Sequence, residues 1–156
     1  MQLRQQGMIL IEALIGILIF SMGILALVAM QTAAVSAQSD AQYRVEAGNL
    51  VDKILYEISL NVDRSTAGTL QTTLAAFAHN PGGGNCAFTG TASANALVTS
   101  WVSEATAART GLPGSTAAMQ QILVDTANFN QVTVTLCWKA PNDATPHKHT
   151  VISYVN

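Results

Sequence analysis

The chain is poor in the residues that carry out covalent chemistry. It has three histidines and two cysteines. His147 and His149 form an H-x-H pair near Asp143, but they flank a turn and no fixed third ligand accompanies them, so no metal site is expected. His79 stands alone in a loop and is expected to be solvated. The serines of "TASANA" and "PGST" lack the elbow or triad setting of an activated nucleophile. The glycines of "PGGGN" lack the lysine and the strand-to-helix setting of a phosphate-binding loop. Cations are scarce too. Of seven Lys and Arg only Arg4 precedes residue 40, nine acids outnumber them, and no basic stripe is present. The chain also has no internal repeat and no low-complexity tract. These absences predict a protein that is not an enzyme, needs no cofactor or metal, and does not bind nucleic acid.

Charge is missing from one long stretch except at a single point. From Met8 to Met30 the only charged residue is Glu12, in "QQGMILIEALIGILIF" at Gln5 to Phe20 and the apolar run beyond it. A helix over these residues is roughly 34 Å long at about 1.5 Å per residue, enough to cross a hydrocarbon core of about 30 Å, so residues 8–30 read as a transmembrane segment in contact with lipid. Arg4 and the terminal amine lie on its N-terminal side, and "QTAAVSAQS" beyond it carries no charge. The positive-inside bias therefore places residue 1 in the cytoplasm and exports the C-terminal bulk. The run is too long for an ordinary secretory signal peptide. The only cleavage-like punctuation stands before it, where Gly7 meets Met8, so a cut there removes residues 1–7 as a leader and keeps the span.

The remainder is an ordinary polar domain, and 156 residues with a net charge of −2 and 49% apolar content suit one domain rather than several. The helical period continues past the apolar run through Ala37, Ala41, Val45, Gly48, Val51, Leu55, Ile58 and Val62, which predicts one long helix over residues 8–62. Asp40 with Arg44, and Lys53 with Glu57, are spaced to pair along it. Ala29, Ala33, Ala37 and Ala41 form a ladder of small residues that lets helix backbones approach closely, or simply reflects alanine's helix propensity.

"NVDRSTAG" ends this helix, "TLQTTLAAFA" is ambiguous, and "HNPGGGN" reads as a loop. A second helix is expected from an N-cap at Ser93 through Leu97, Val98, Trp101, Val102, Ala105 and Ala108, stopped by "TGLPG". The last third changes period. "QVTVTLCWK" alternates as a strand, "HTVISYV" follows after the turn "APNDATP" as its antiparallel partner, and "MQQILVD" is expected as a third strand of a small antiparallel sheet, with Val132, Val134, Leu136 and Trp138 on its apolar face and the outer half of the long helix as its cover. The predicted fold is α+β, with a head at residues 63–156. Trp101 and Trp138 fit core positions. Cys86 and Cys137 both fall in the exported part, so a disulfide is the plain reading and two separately buried thiols the alternative.

Glu12 needs a partner, because a carboxylate at the centre of a membrane helix costs about 2.5–3.5 kcal/mol. A cut after Gly7 would create one: the new amine on Met8 lies one helical turn away, and in staggered parallel helices the carboxylate of one copy could pair with the amine of another. "GMILIEALIGILIF" resembles the type IV prepilin N-terminus. That resemblance implies a leader ending in Gly7, cleavage by a prepilin peptidase, N-methylation of Met8, and subunit docking through Glu12. "SMGILALVAMQ", "LPG" at Leu112 to Gly114 and "VTVTLCW" at Val132 to Trp138 are similar to the PilV-type minor pilins. Met8 replaces the Phe usual at the first mature position, and Ile9 stands where Thr or Ser is frequent.

The resemblance implies a pilin-like fold and a minor pilin of the type IV pilus. Such a subunit is held in the bacterial inner membrane with its head in the periplasm, then incorporated into the extracellular fibre. The implied partners are other minor pilins, the major pilin, prepilin peptidase and the inner-membrane assembly platform. A minor pseudopilin of a type II secretion system shares the same leader and helix, and a membrane-anchored ligand-binding or enzymatic domain is the alternative of a different class.

Overall fold

The protein is described by a computed structural model covering residues 6–141 and 143–156, with side chains from Met8 onward. Most of the expected leader, residues 1–5, lies outside the described residues. The chain divides into two units, residues 1–42 and residues 43–156. Helix α1, Gln6–Asn61, contributes to both.

In the first unit every side chain from Met8 to Gln38 is exposed. These residues include Met8, Leu14, Phe20, Leu25 and Met30, whose side chains are large and apolar. The few hydroxyls in the helix are satisfied locally: Ser21 Oγ donates to the Ile17 carbonyl at 2.7 Å, Thr32 Oγ1 to Val28 at 3.0 Å and Ser39 Oγ to Val35 at 3.0 Å. Bonding back to the i−4 carbonyl satisfies these three donors without water. Among the described residues α1 is the one helix long and apolar enough to cross a membrane, with a mean hydropathy of 2.7 in its most apolar window.

In the second unit, the inward face of α1 keeps Val51, Ile58 and Val62 of the expected repeat and replaces its other positions with neighbours. Ala47, Leu50, Val51, Ile54, Ile58 and Val62 are buried, while Val45 is exposed and Gly48 and Leu55 are only partly covered. Two three-and-four registers overlap along this stretch. The one carrying Leu50 and Ile54 places more apolar surface inside than the one through Val45 and Gly48.

Helix α2, Ala67–Ala75, resolves the ambiguous segment. Thr66 and Thr69 form a reciprocal capping box, and Leu70 and Leu74 are buried. Helix α3, Ala96–Ala105, starts two residues later than expected: Asn95, not Ser93, is its N-cap and accepts from the Leu97 N–H at 2.9 Å. Ser93 Oγ instead accepts from Asn95 N and donates to the Ala76 carbonyl. The helix ends at Ala105, so Ala108 lies beyond it, and the Leu112 N–H returns to the Ala105 carbonyl.

Three strands form the main sheet in the order β3, β4, β5, all antiparallel: β3 Gln120–Asp125, β4 Gln131–Trp138 and β5 His147–Tyr154. Register sets Ile122 beside Val134 and Val134 beside Val151. Val132, Val134, Leu136 and Trp138 are buried as the alternation predicts and join the residues of α1, α2 and α3 in one core. Trp101 adds a directional tie, its indole Nε1 donating to the Leu50 carbonyl at 2.8 Å.

The glycine-rich segment expected to be a loop is a short hairpin, β1 Gly82–Gly84 with β2 Ala87–Thr89. Asn85 and Cys86 connect the strands with φ of 51° and 62°, the two left-handed residues that a tight hairpin turn demands. Gly83, at φ 77°, lies so close to the Ala87 carbonyl that no Cβ fits. The opposite face of β4 is covered as well, since Thr135 and Cys137 are both buried. The hairpin reaches that face through the Cys86–Cys137 disulfide and through Gln121 Nε2, which donates to the Gly82 carbonyl at 3.3 Å.

Candidate functional site

The sequence places its most informative residues near the start of α1. Gly7 lies in the first turns of the helix. Met8 is 75% exposed. Glu12 is exposed, and its neighbours one turn away on the same face, Met8, Ile9, Ile15 and Gly16, offer no polar side chain. It has no hydrogen-bond or ion-pair partner among the described residues. A lone acid on an apolar rod is therefore available to a cation from outside the described residues. Ala29, Ala33, Ala37 and Ala41 are all exposed and recur every four residues, leaving a shallow strip along the helix where another backbone could approach.

Cys86 and Cys137 are joined, with Cα atoms 5.7 Å apart, within the ordinary range for a disulfide. The bond fixes the β1–β2 turn to the central strand, and neither thiol remains free.

The histidine pair of β5 has a structural role. His147 Nε2 meets Asp143 Oδ2 at 3.1 Å, and an Arg44 guanidinium nitrogen stands 3.5 Å from its Nδ1. Because guanidinium only donates, Nδ1 accepts and Nε2 carries the proton that points to Asp143. The ring stacks on Trp138 with centroids 5.6 Å apart. Asp143 also accepts from the Ala140 N–H at 2.9 Å, which closes the turn before β5. No group of three or more His, Cys, Asp or Glu side chains able to hold a metal occurs among the described residues.

Lys53 does not pair with Glu57 along α1. It reaches across to Glu104 on α3, while Glu57 accepts from Asn61. The Lys53–Glu104 pair lines a depression of about 60 Å³ with Ile54, Leu97 and Trp101. That is well below the ~300–1,000 Å³ of sites that take small molecules.

His79 overturns its sequence expectation. It is not solvated but 4% exposed. Its Nδ1 accepts from the Ser93 N–H at 3.1 Å, and its backbone exchanges two 3.0 Å hydrogen bonds with Ile122 of β3. Burial pushes its pKa below the ordinary imidazole value, against an upward pull from the Ala117 carbonyl. Asp63, at the exit of α1, is held below the usual carboxylate range by hydrogen bonds from Ser65.

Comparison of the chain with protein-family models, curated proteins and solved structures returns no match. The geometry by itself defines an α+β head and an apolar, exposed helix bearing one unpartnered acid.

Proposed function

We propose that this chain is a minor pilin of the PilV type, a structural subunit of the type IV pilus that works through α1 rather than through chemistry in the head. The observation that carries the proposal is Glu12, exposed and unpartnered on an apolar helix, five positions beyond Gly7. Cleavage after Gly7 by a prepilin peptidase frees and exposes the Met8 amine, which is then methylated. In a bundle of parallel helices with an axial stagger, Glu12 of one subunit meets the amine of the next, replacing an unsatisfied acid in lipid with an ion pair.

Leaving the membrane is then an exchange between similar solvents, because lipid chains and a bundle core both accept apolar surface and the hydroxyls of Ser21 and Thr32 already bond to their own helix. The alanine strip at Ala29 to Ala41 supports close approach between neighbours. Before assembly the subunit is held in the bacterial inner membrane with its N-terminus cytoplasmic and its head periplasmic; afterwards it is part of the extracellular fibre. Its partners are the inner-membrane assembly platform, the major pilin and other minor pilins, which the head and α1 contact without catalysis.

The test is Glu12→Gln in the native organism. Mass spectrometry of membranes should find the variant still cut before Met8, whereas its amount in sheared filaments or priming complexes should fall at least ~10-fold, the worth of about 1.4 kcal/mol. Undiminished incorporation of the variant, or a wild-type protein that keeps residues 1–7, overturns the proposal. Intact pili with lost enzyme secretion on deletion would assign the subunit to a secretion pseudopilus instead.

A further inference from the structure

His79 stands where three segments of the head cross, and the hydrogen bonds there leave it no tolerance for a second proton. The exit of α2 supplies residues 76–80, the strand-to-helix link supplies residues 91–95, and the 3₁₀ turn Ala117–Met119 leads into β3. The first segment binds the second through Asn80 N to the Thr91 carbonyl at 3.1 Å, Ser93 Oγ to the Ala76 carbonyl at 2.8 Å, and Ser93 N to His79 Nδ1 at 3.1 Å. It binds the third through Asn80 Nδ2, which donates to the Ala117 and Gln120 carbonyls at 3.0 and 3.2 Å, and through Gln121 Nε2, which donates to the Asn80 carbonyl at 2.9 Å.

Within this knot the imidazole has one workable protonation state. The Ser93 N–H makes Nδ1 an acceptor, which puts the single proton of the neutral ring on Nε2. Both Asn80 amide hydrogens are committed to carbonyls, so Nε2 gains no acceptor from its 3.0 Å approach to Asn80. A second proton would sit on Nδ1 and point directly at the Ser93 N–H. No compensating anion faces the ring from any packed segment: "AFAHN", "TASAN", "STAAM" and "QQI" contain no Asp, Glu, Lys, Arg or Tyr, and His79 is the one group among them that titrates near neutrality.

We propose that His79 is an acid-operated latch: the neutral ring holds the 91–95 link closed by accepting from Ser93, and protonation ejects the ring and frees the loop that carries the β1–β2 hairpin. The Cys86–Cys137 disulfide stays intact through this opening, so the loop swings on a covalent tether and uncovers the Thr135 side of the sheet. The latch follows from the head alone and holds whether or not the chain assembles into a pilus.

The sign follows from linkage. Burial lowers the pKa of the closed ring, and the opened, solvated ring titrates near 6.5, so the open form binds more protons at acidic pH. Closure is complete above about pH 6.5 and weakens as pH falls below it. The opening equilibrium therefore rises as pH falls from 7.5 to 5.0, by up to ~30-fold, the limit for a ring that takes up its proton only when open.

The test is hydrogen exchange by mass spectrometry on the full chain in lipid nanodiscs at pH 7.5 and 5.0, corrected for intrinsic exchange. Protection of residues 91–95 should fall several-fold, up to ~30-fold, in the wild type while residues 98–105 of α3 keep theirs. In His79→Asn, whose carboxamide oxygen can still accept from Ser93, protection of 91–95 should not change with pH. An equal loss in this variant, an equal loss in α3, or no loss in the wild type overturns the latch. Should His79→Asn not fold, NMR of the wild-type ring decides: a ring that becomes fully charged near pH 6.5 while residues 91–95 stay protected also overturns it.

Discussion

Replacing both Cys86 and Cys137 with serine should cost the head about 4 kcal/mol. The bridge spans 51 positions in sequence, and confining a loop of that size in the unfolded chain corresponds to about 4 kcal/mol at 25 °C. Local structure points the same way. The β1 and β2 strands have three residues each, too short to persist as a free hairpin, and the covalent bond to β4 anchors them to the sheet. Cys137 is fully buried, so serine there also introduces a hydroxyl that needs a partner. Guanidinium titration of the full chain in nanodiscs, followed by tryptophan fluorescence, should show the midpoint fall by about 1 M. Trp101 and Trp138 are both buried in the core and report on its unfolding. A loss under about 1 kcal/mol would refute the reasoning, because it would mean that the unfolded chain is not measurably restricted by the bridge and that the hairpin needs no anchor.

Two further outcomes test the head. Trp101→Phe keeps the ring but removes the donor to the Leu50 carbonyl, and should destabilise by about 1–2 kcal/mol in the same titration; an unchanged midpoint would mean that this bond adds nothing to stability. Gly83→Ala must open the β1–β2 pairing, since φ is 77° and the added methyl collides with the Ala87 carbonyl, so exchange protection of residues 82–89 should disappear and the disulfide should be reduced faster by dithiothreitol; retained protection would show that the hairpin adopts another register.

Elements with a strong period were legible in the sequence, and those built from tertiary exchange were not. The extent of α1 is plain because its apolar repeat runs on to Val62, β4 is plain because β-branched residues alternate with polar ones, and β3 and β5 show as short β-branched runs bounded by turn residues. The inward face of α1 was less so, since neighbouring registers both show three-and-four spacing and only the partners of Leu50 and Ile54 decide between them. The β1 strand is invisible to propensity because it consists of three glycines, and its pairing depends on the two left-handed residues at Asn85 and Cys86. Ser93 and Asn95 are both good helix caps, and only the competing bond from Ser93 to Ala76 assigns the cap to Asn95. The burial of His79 depends on segments about 14 and 40 residues further along, which no local pattern around "FAHNP" encodes. Glu12 and Gly7, by contrast, were visible at once, because charge within an apolar run needs no partner residue to be noticed.

The shared core joins Ala47 and Leu50 of α1 to Val155 near the end of the chain, with Val151 of β5 packed against it. Strand β4 likewise lacks its second neighbour until β5 has been made. The core and the sheet are therefore complete only once the last strand has been made. The stacked Trp138–His147 pair, whose second ring lies on that last strand, forms only with it.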